Sequence, residues 1–184
     1  MAAGTLLLYV TLATAGAWVL VMAGRRAWGA WRVYAAPRIV TCPETAAPAA
    51  VRVDALKVAF AALLDLDPAL TLRNCSRWNE RGPCDQPCLP QVVSGEAAAV
   101  PDLLAHWYAG KRCVYCAADI THGPRGITRA ALRSPEGITV EWRAVAPERL
   151  PGLLATHQPV CWNCHVAETF RRLYPDLVVD RPAH

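Results

Sequence analysis

The first 24 residues, MAAGTLLLYVTLATAGAWVLVMAG, carry no charged side chain, and nothing basic precedes Leu6. A cleaved signal peptide needs a basic start and a shorter apolar stretch closed by a small-residue cleavage site, so this absence favours a helix that stays in the membrane. Elsewhere the sequence lacks repeats and low-complexity tracts, a nucleophile set beside a base, a phosphate-cradling loop and a carboxylate dyad. Enzyme chemistry is therefore left without visible machinery. The formal charge of +4 over 184 residues is too small for a strongly basic nucleic-acid binder. Two things are plentiful: apolar letters, at 54%, and sulfur, with eight cysteines.

At ~1.5 Å per residue, the apolar run from Thr5 to Ala23 nearly crosses a hydrocarbon core of about 30 Å. It reads as one transmembrane helix. Arg25, Arg26, Arg32 and Arg38 follow, interleaved with Trp28, Trp31 and Tyr34. That is the pattern of an interfacial aromatic belt with a basic flank, and basic flanks stay on the cytoplasmic side. The expectation is a single-pass protein of the inner, cytoplasmic membrane, with residues 25–184 in the cytoplasm and a short N-terminus outside. Thiols in that compartment are kept reduced, which turns eight cysteines from disulfide partners into metal or redox ligands.

Beyond Pro37 the apolar period changes. RIVTCPETAAPAAVRVD reads as a strand, a proline-rich turn holding Cys42, and a return strand. Asp54 caps a helix over ALKVAFAALLDL, in which Leu56, Phe60, Leu63 and Leu64 form one apolar face. A short strand, LTLR, delivers Cys75, and CSRWNERGPCDQPCLPQV is too rich in proline for a long helix. SGEAAAVPD reads as a linker and LLAHWYAGK as a helix stopped by Gly110. ALRSPEGITVEWR alternates on both sides of the turn SPEG and predicts a hairpin. PERLPGLLA is a short helical turn, and CWNCHVAETFRRLY a helix with Val166, Phe170 and Leu173 on one face, ended by Pro175. The expected class is α+β: a membrane helix with its juxtamembrane segment over 1–36, a first cysteine-rich subdomain over 37–100 and a second over 101–184.

The cysteines fall into two sets of four. Cys113 and Cys116, with Cys161 and Cys164, form a paired C-x-x-C arrangement, and four thiolates satisfy tetrahedral zinc at about 2.3 Å. Cys161 and Cys164 open a helix, where free amides and the helix dipole favour thiolates. A knuckle, a hairpin and then a helix carrying the second pair resembles a treble-clef zinc finger over residues 111–175. The resemblance implies a structural zinc on all four cysteines. Two features depart from it: 44 residues separate the pairs, more than usual, and Ala117 stands where many knuckles have glycine.

Other resemblances are weaker. CVYC is similar to the opening of HNH nucleases, but these need an Asp-His pair in the hairpin and a further His or Asn, whereas the segment offers His122 and His157 without an Asp-His pair. CWNCH matches the attachment signature of c-type haem, which bacteria build outside the cytoplasmic membrane, so the expected compartment argues against it. Rubredoxin-like iron or a redox dithiol are the remaining alternatives to zinc. With four ligand positions filled, His165 reads as a helix-surface residue that hydrogen-bonds its neighbours, and His106 and His184 carry no signal.

In the first set, Cys84 and Cys88 are one helical turn apart and could face one centre, joined by Cys42 and Cys75 from strand ends. A second zinc site is the expectation, an iron–sulfur cluster its rival, and buried free cysteines the bland alternative. Arg73, Arg77 and Arg81, with Trp78, suggest a cationic patch, but pairing with Glu80 and Asp85 is the preferred reading. Together these residues predict a non-catalytic, membrane-anchored zinc-binding scaffold or adaptor that engages the bilayer and a protein partner rather than nucleic acid. A membrane-anchored electron-transfer or thiol-redox protein is the alternative.

Overall fold

The structure, a computed structural model, describes residues 2–121 and 126–177. His122 and His184 lie outside the described residues. The chain is a mixed helix and sheet protein that begins with one long apolar helix, α1 (Ala2–Tyr34). Its stretch Gly4–Tyr34 is long and apolar enough to cross a membrane.

After α1 come β1 (Arg38–Thr41) and β2 (Pro48–Val53), paired antiparallel with Arg38 opposite Val51 and Thr41 opposite Pro48. Cys42 sits at the start of the intervening turn, where its carbonyl accepts from the amides of Thr45 and Ala46. Asp54 then caps α2 (Ala55–Leu63), its carboxylate accepting from the Lys57 amide at 3.2 Å. That cap satisfies one of the amides a helix start leaves free. β3 (Leu72–Cys75) begins two residues later than the letters LTLR suggest. The reason is its partner: β2 offers Val53 opposite Leu72 and Val51 opposite Cys75, and beyond Val53 the partner chain has already turned into α2.

The proline-rich stretch forms two short helices, α3 (Trp78–Arg81) and α4 (Leu89–Val93). Over the segment that reads as a linker, the structure instead places β4 (Ala98–Ala99), which pairs with β1. Ala97, Ala99 and Val100 are buried there. Within β4 itself Ala98 is exposed and Ala99 buried, the alternation of a strand with one face on the core. The resulting sheet runs β3-β2-β1-β4, and its inner side chains Val40, Ala49, Val51 and Leu72 pack with Val58, Val92, Cys75 and Cys88.

α5 (Val100–Tyr108) follows directly, stopped where Gly110 adopts φ +69°. It starts the second core, in which Val100, Leu104 and Tyr108 meet Leu132, Leu150 and Val160. Tyr108 is fully buried and its hydroxyl donates to the Ala131 carbonyl at 2.9 Å, so its polar end is satisfied. The predicted hairpin is present as β5 (Ala131–Arg133) and β6 (Thr139–Glu141). α6 (Leu150–Thr156) leads to β7 (Gln158–Val160), which pairs with the other edge of β5 and runs straight into α7 (Trp162–Leu173). The sheet β6-β5-β7 thus carries the knuckle and the helix that bring the second cysteine set together.

Candidate metal centre

Cys113 and Cys116 lie in a tight turn after α5. The Cys113 amide donates to the Ala118 carbonyl and the Ala117 amide to the Cys113 carbonyl, both at 2.9 Å, and Arg112 bridges Asp119 to close the loop. Ala117 is left-handed at φ +56°. The turn therefore demands the conformation that glycine adopts most easily, and the alanine holds it at a cost. The Val114 amide donates to the Pro159 carbonyl at 3.1 Å, which ties the knuckle to β7. One residue past β7, Cys161 occupies the N-cap of α7, and Cys164 lies one turn inside.

This register closes the set. The four sulfurs of Cys113, Cys116, Cys161 and Cys164 all lie within 4.8 Å of one another, and Cys116 Sγ is 3.7 Å from Cys161 Sγ. Cys113 is buried, Cys161 and Cys164 are half-buried and Cys116 is exposed. The four are arranged as a four-cysteine site that could hold a metal ion.

The electrostatics differ across the cluster. At Cys113 burial opposes ionisation, but hydrogen bonds from the backbone amides of Cys161, Cys116 and Tyr115, with the Cys161 thiol, outweigh it and lower the pKa to about 7. At Cys161 burial pushes the thiol up, and at Cys164 burial does the same, reinforced by Cys116, Cys161 and Cys113. Four thiolates packed this closely repel one another, so ionising the whole set requires a cation at its centre.

His165 does hydrogen-bond a neighbour, but it is largely buried and not on the helix surface. Its side chain is only 12% exposed, with Nε2 4.0 Å from Glu141 Oε1 and Nδ1 2.9 Å from the Thr139 hydroxyl. Burial lowers its pKa, favouring the neutral ring. Thr139 is the buried polar side chain of the core among the described residues, and this bond satisfies it. His165 therefore struts α7 against β6 directly behind the cysteines. Thr139 and Glu141, at i and i+2 on one strand face, were the only sequence signal for it.

The first set is arranged differently. Cys42, Cys75, Cys84 and Cys88 line one apolar pocket, together with Arg77 and Trp78. Cys75 and Cys88 are buried, Cys42 half-buried and Cys84 exposed. Among the described residues, the group of potential ligands that closes to within 4.8 Å is the second set and not this one. The helical spacing expected for Cys84 and Cys88 is absent: Cys88 only caps α4, and Cys84 precedes it in a loop turned by Gln86 at φ +59°. Gln86 earns that turn by accepting the Leu72 amide at 2.8 Å. A hydrogen bond from Thr45 lowers the Cys42 pKa, with smaller help from the Arg77 charge, while burial raises that of Cys88. Arg77 also approaches Glu80 at 3.4 Å, the pairing preferred over a free cationic patch.

No family model matches the sequence, and no curated protein or solved structure is significantly similar to it.

Proposed function

We propose that the chain is a membrane-anchored, non-catalytic zinc scaffold whose cytoplasmic portion docks a protein partner. The closure of the four sulfurs of the second set carries this reading. The 3.7 Å between Cys116 Sγ and Cys161 Sγ is close to the edge of ~3.8 Å that a tetrahedron of sulfurs has around zinc at ~2.3 Å, and the other pairs lie within 4.8 Å. A purely thiolate donor set suits zinc over hard cations. The amides that converge on Cys113 and the succession of knuckle, hairpin and helix over residues 111–175 support a treble-clef-like structural site. In so small a unit, metal binding is folding energy.

In this reading zinc holds α7 by its first turn, and Val166, Phe170 and Leu173 are exposed along the helix with Tyr174 at its C-cap. We assign that apolar stripe as the partner-docking surface. The arginines after Ala23 support a cytoplasmic position for this surface, beside an inner membrane crossed by α1. The first cysteine set serves as a second zinc site, its pocket tightening around the ion. The test is metal analysis of anaerobically purified protein: two zinc equivalents and no visible absorbance are expected. A zinc-free protein that keeps its fold would overturn the reading.

One observation favours the electron-transfer reading at the first set. Its sulfurs share a pocket without closing to single-ion distances, and Arg77 Nε and Trp78 Nε1 are buried beside it with no partner. A polynuclear iron–sulfur cluster spaces its thiolates more widely and takes N–H···S bonds. Visible bands and iron in the purified protein would select this alternative.

A further inference from the structure

Helix α2 is built inside out. The residues that periodicity marks as its apolar face, Leu56, Phe60, Leu63 and Leu64, are 63%, 63%, 42% and 51% exposed, and Leu66 just beyond is 59% exposed. The inward face consists of small residues with one valine: Ala55 and Val58 are buried, and Ala59, Ala61 and Ala62 half-buried. α2 packs on α1, whose half-buried side over the same stretch is also largely small, with Ala23, Ala27 and Ala30. In water this arrangement is unfavourable, since each Leu or Phe left exposed forfeits the free energy of its burial. In lipid it is the expected one: large apolar side chains face the acyl chains at no cost, and small residues let two helices approach closely.

The packing also sets the depth. Arg26 donates to Asp65 at 2.9 Å, just past the C-terminal end of α2, while Ala30 and Tyr34, farther along α1, pack on the core that contains Val58. α2 therefore runs antiparallel to α1, with its Phe60–Leu66 end nearest the apolar run that closes at Ala23. At ~1.5 Å per residue, Arg26 lies only about 5 Å beyond that run, within the headgroup layer. Nine residues are too few to cross a bilayer, so α2 can only enter its surface. The charge balance favours this placement. Arg25, Arg26 and Arg32 are exposed around the junction, α2 carries Lys57 and no acid, the Asp65 carboxylate is paired with Arg26, and the exposed Asp67 after Leu66 is outnumbered by these cations.

We infer that the end of α2 is a second membrane contact: Phe60, Leu63, Leu64 and Leu66 seat in the headgroup and upper acyl layer of the bilayer that α1 crosses. This rests on α1 being the anchor. Two contacts on one rigid pair fix the angle at which the cysteine-bearing region stands on the membrane, where a lone helix would leave it free to swivel.

The test uses the full chain in vesicles of phosphatidylcholine and phosphatidylglycerol carrying an alkyne-tagged lipid. A benzophenone amino acid replaces Phe60, Leu64, Leu12 or Ile138 one at a time. All four are exposed, and metal content equal to that of the unsubstituted protein verifies the fold. Lipid adducts are expected at 12, 60 and 64 and none at 138. Adducts at 12 with none at 60 and 64 would overturn the second contact and leave the anchor standing. Adducts at 60 and 64 to protein, a second copy or another helix, would overturn it in favour of a docking face. No adduct at 12 would overturn the anchor and this inference with it.

Discussion

Ala117 shows how much a single residue carries. At φ +56° it closes the first knuckle in a conformation that costs a residue with a Cβ about 1–2 kcal/mol. Ala117→Gly relieves that strain but gives the unfolded chain more freedom, so a net gain of about 1 kcal/mol is expected. Denaturant unfolding at saturating zinc measures it, with metal stoichiometry unchanged. His165 supplies the second residue-scale prediction. It struts α7 through Thr139 and stands outside the four-sulfur cluster, so His165→Ala is expected to keep the metal and lose ~1–3 kcal/mol by stranding the buried Thr139 hydroxyl. Cys164→Ala loses the metal outright. Metal content and unfolding midpoints of the two variants separate these roles, and a covalent haem lost in His165→Ala would contradict both. The C-x-x-C pairs are legible in sequence because two residues of spacing impose the knuckle locally. The His165 contact is not, because its partner lies 26 residues away on another strand.

At the scale of elements, the hairpin SPEG, the Asp54 cap and the Gly110 stop are readable from local letters, since each depends on turn or cap chemistry within a few residues. Strand β3 is readable only in kind, because its limits are set by pairing with β2. The helix faces are subtler. Val166, Phe170 and Leu173 do share one side of α7, yet that side is exposed rather than packed on the core. We expect Phe170→Glu to keep zinc and to change stability by no more than about 0.5 kcal/mol, because the side chain is half in solvent already. If the proposed protein partner docks on this stripe, a photoprobe at Leu173 should form a protein adduct in cells and the same substitution should abolish it. An unchanged adduct would remove the stripe from the docking surface.

For the whole molecule, the second core joins α5, the hairpin, β7 and the cysteine cluster, so loss of the metal should be felt well beyond the ligands. Cys113→Ser or Cys161→Ser should each lose one metal equivalent and make residues 111–175 protease-sensitive. Unchanged content and resistance in both would sink the site. Acidification should act in the same direction, releasing metal as the thiolates take up protons. Topology is tested at the other end: a reporter fused after His184 should be active only in the cytoplasm. An export-dependent reporter active there would reverse the orientation and reopen the haem and disulfide chemistry of CWNCH.

Sequence alone determined whatever depends on local chemistry: a charge-free run long enough to cross a bilayer, the caps and turns, and two C-x-x-C pairs each bound to present two sulfurs side by side. Only the tertiary structure decided which sets close. Cys161 meets Cys116 because β7 pairs with β5 and accepts the Val114 amide, whereas Cys84 lies in the loop before α4, turned by Gln86, and stays at the rim of a wider pocket. The direction of the apolar faces was likewise settled by packing. Periodicity says that a helix has two faces, but which medium each one meets depends on the neighbour, and on α2 that neighbour is the alanine side of α1, which turns the large residues outward.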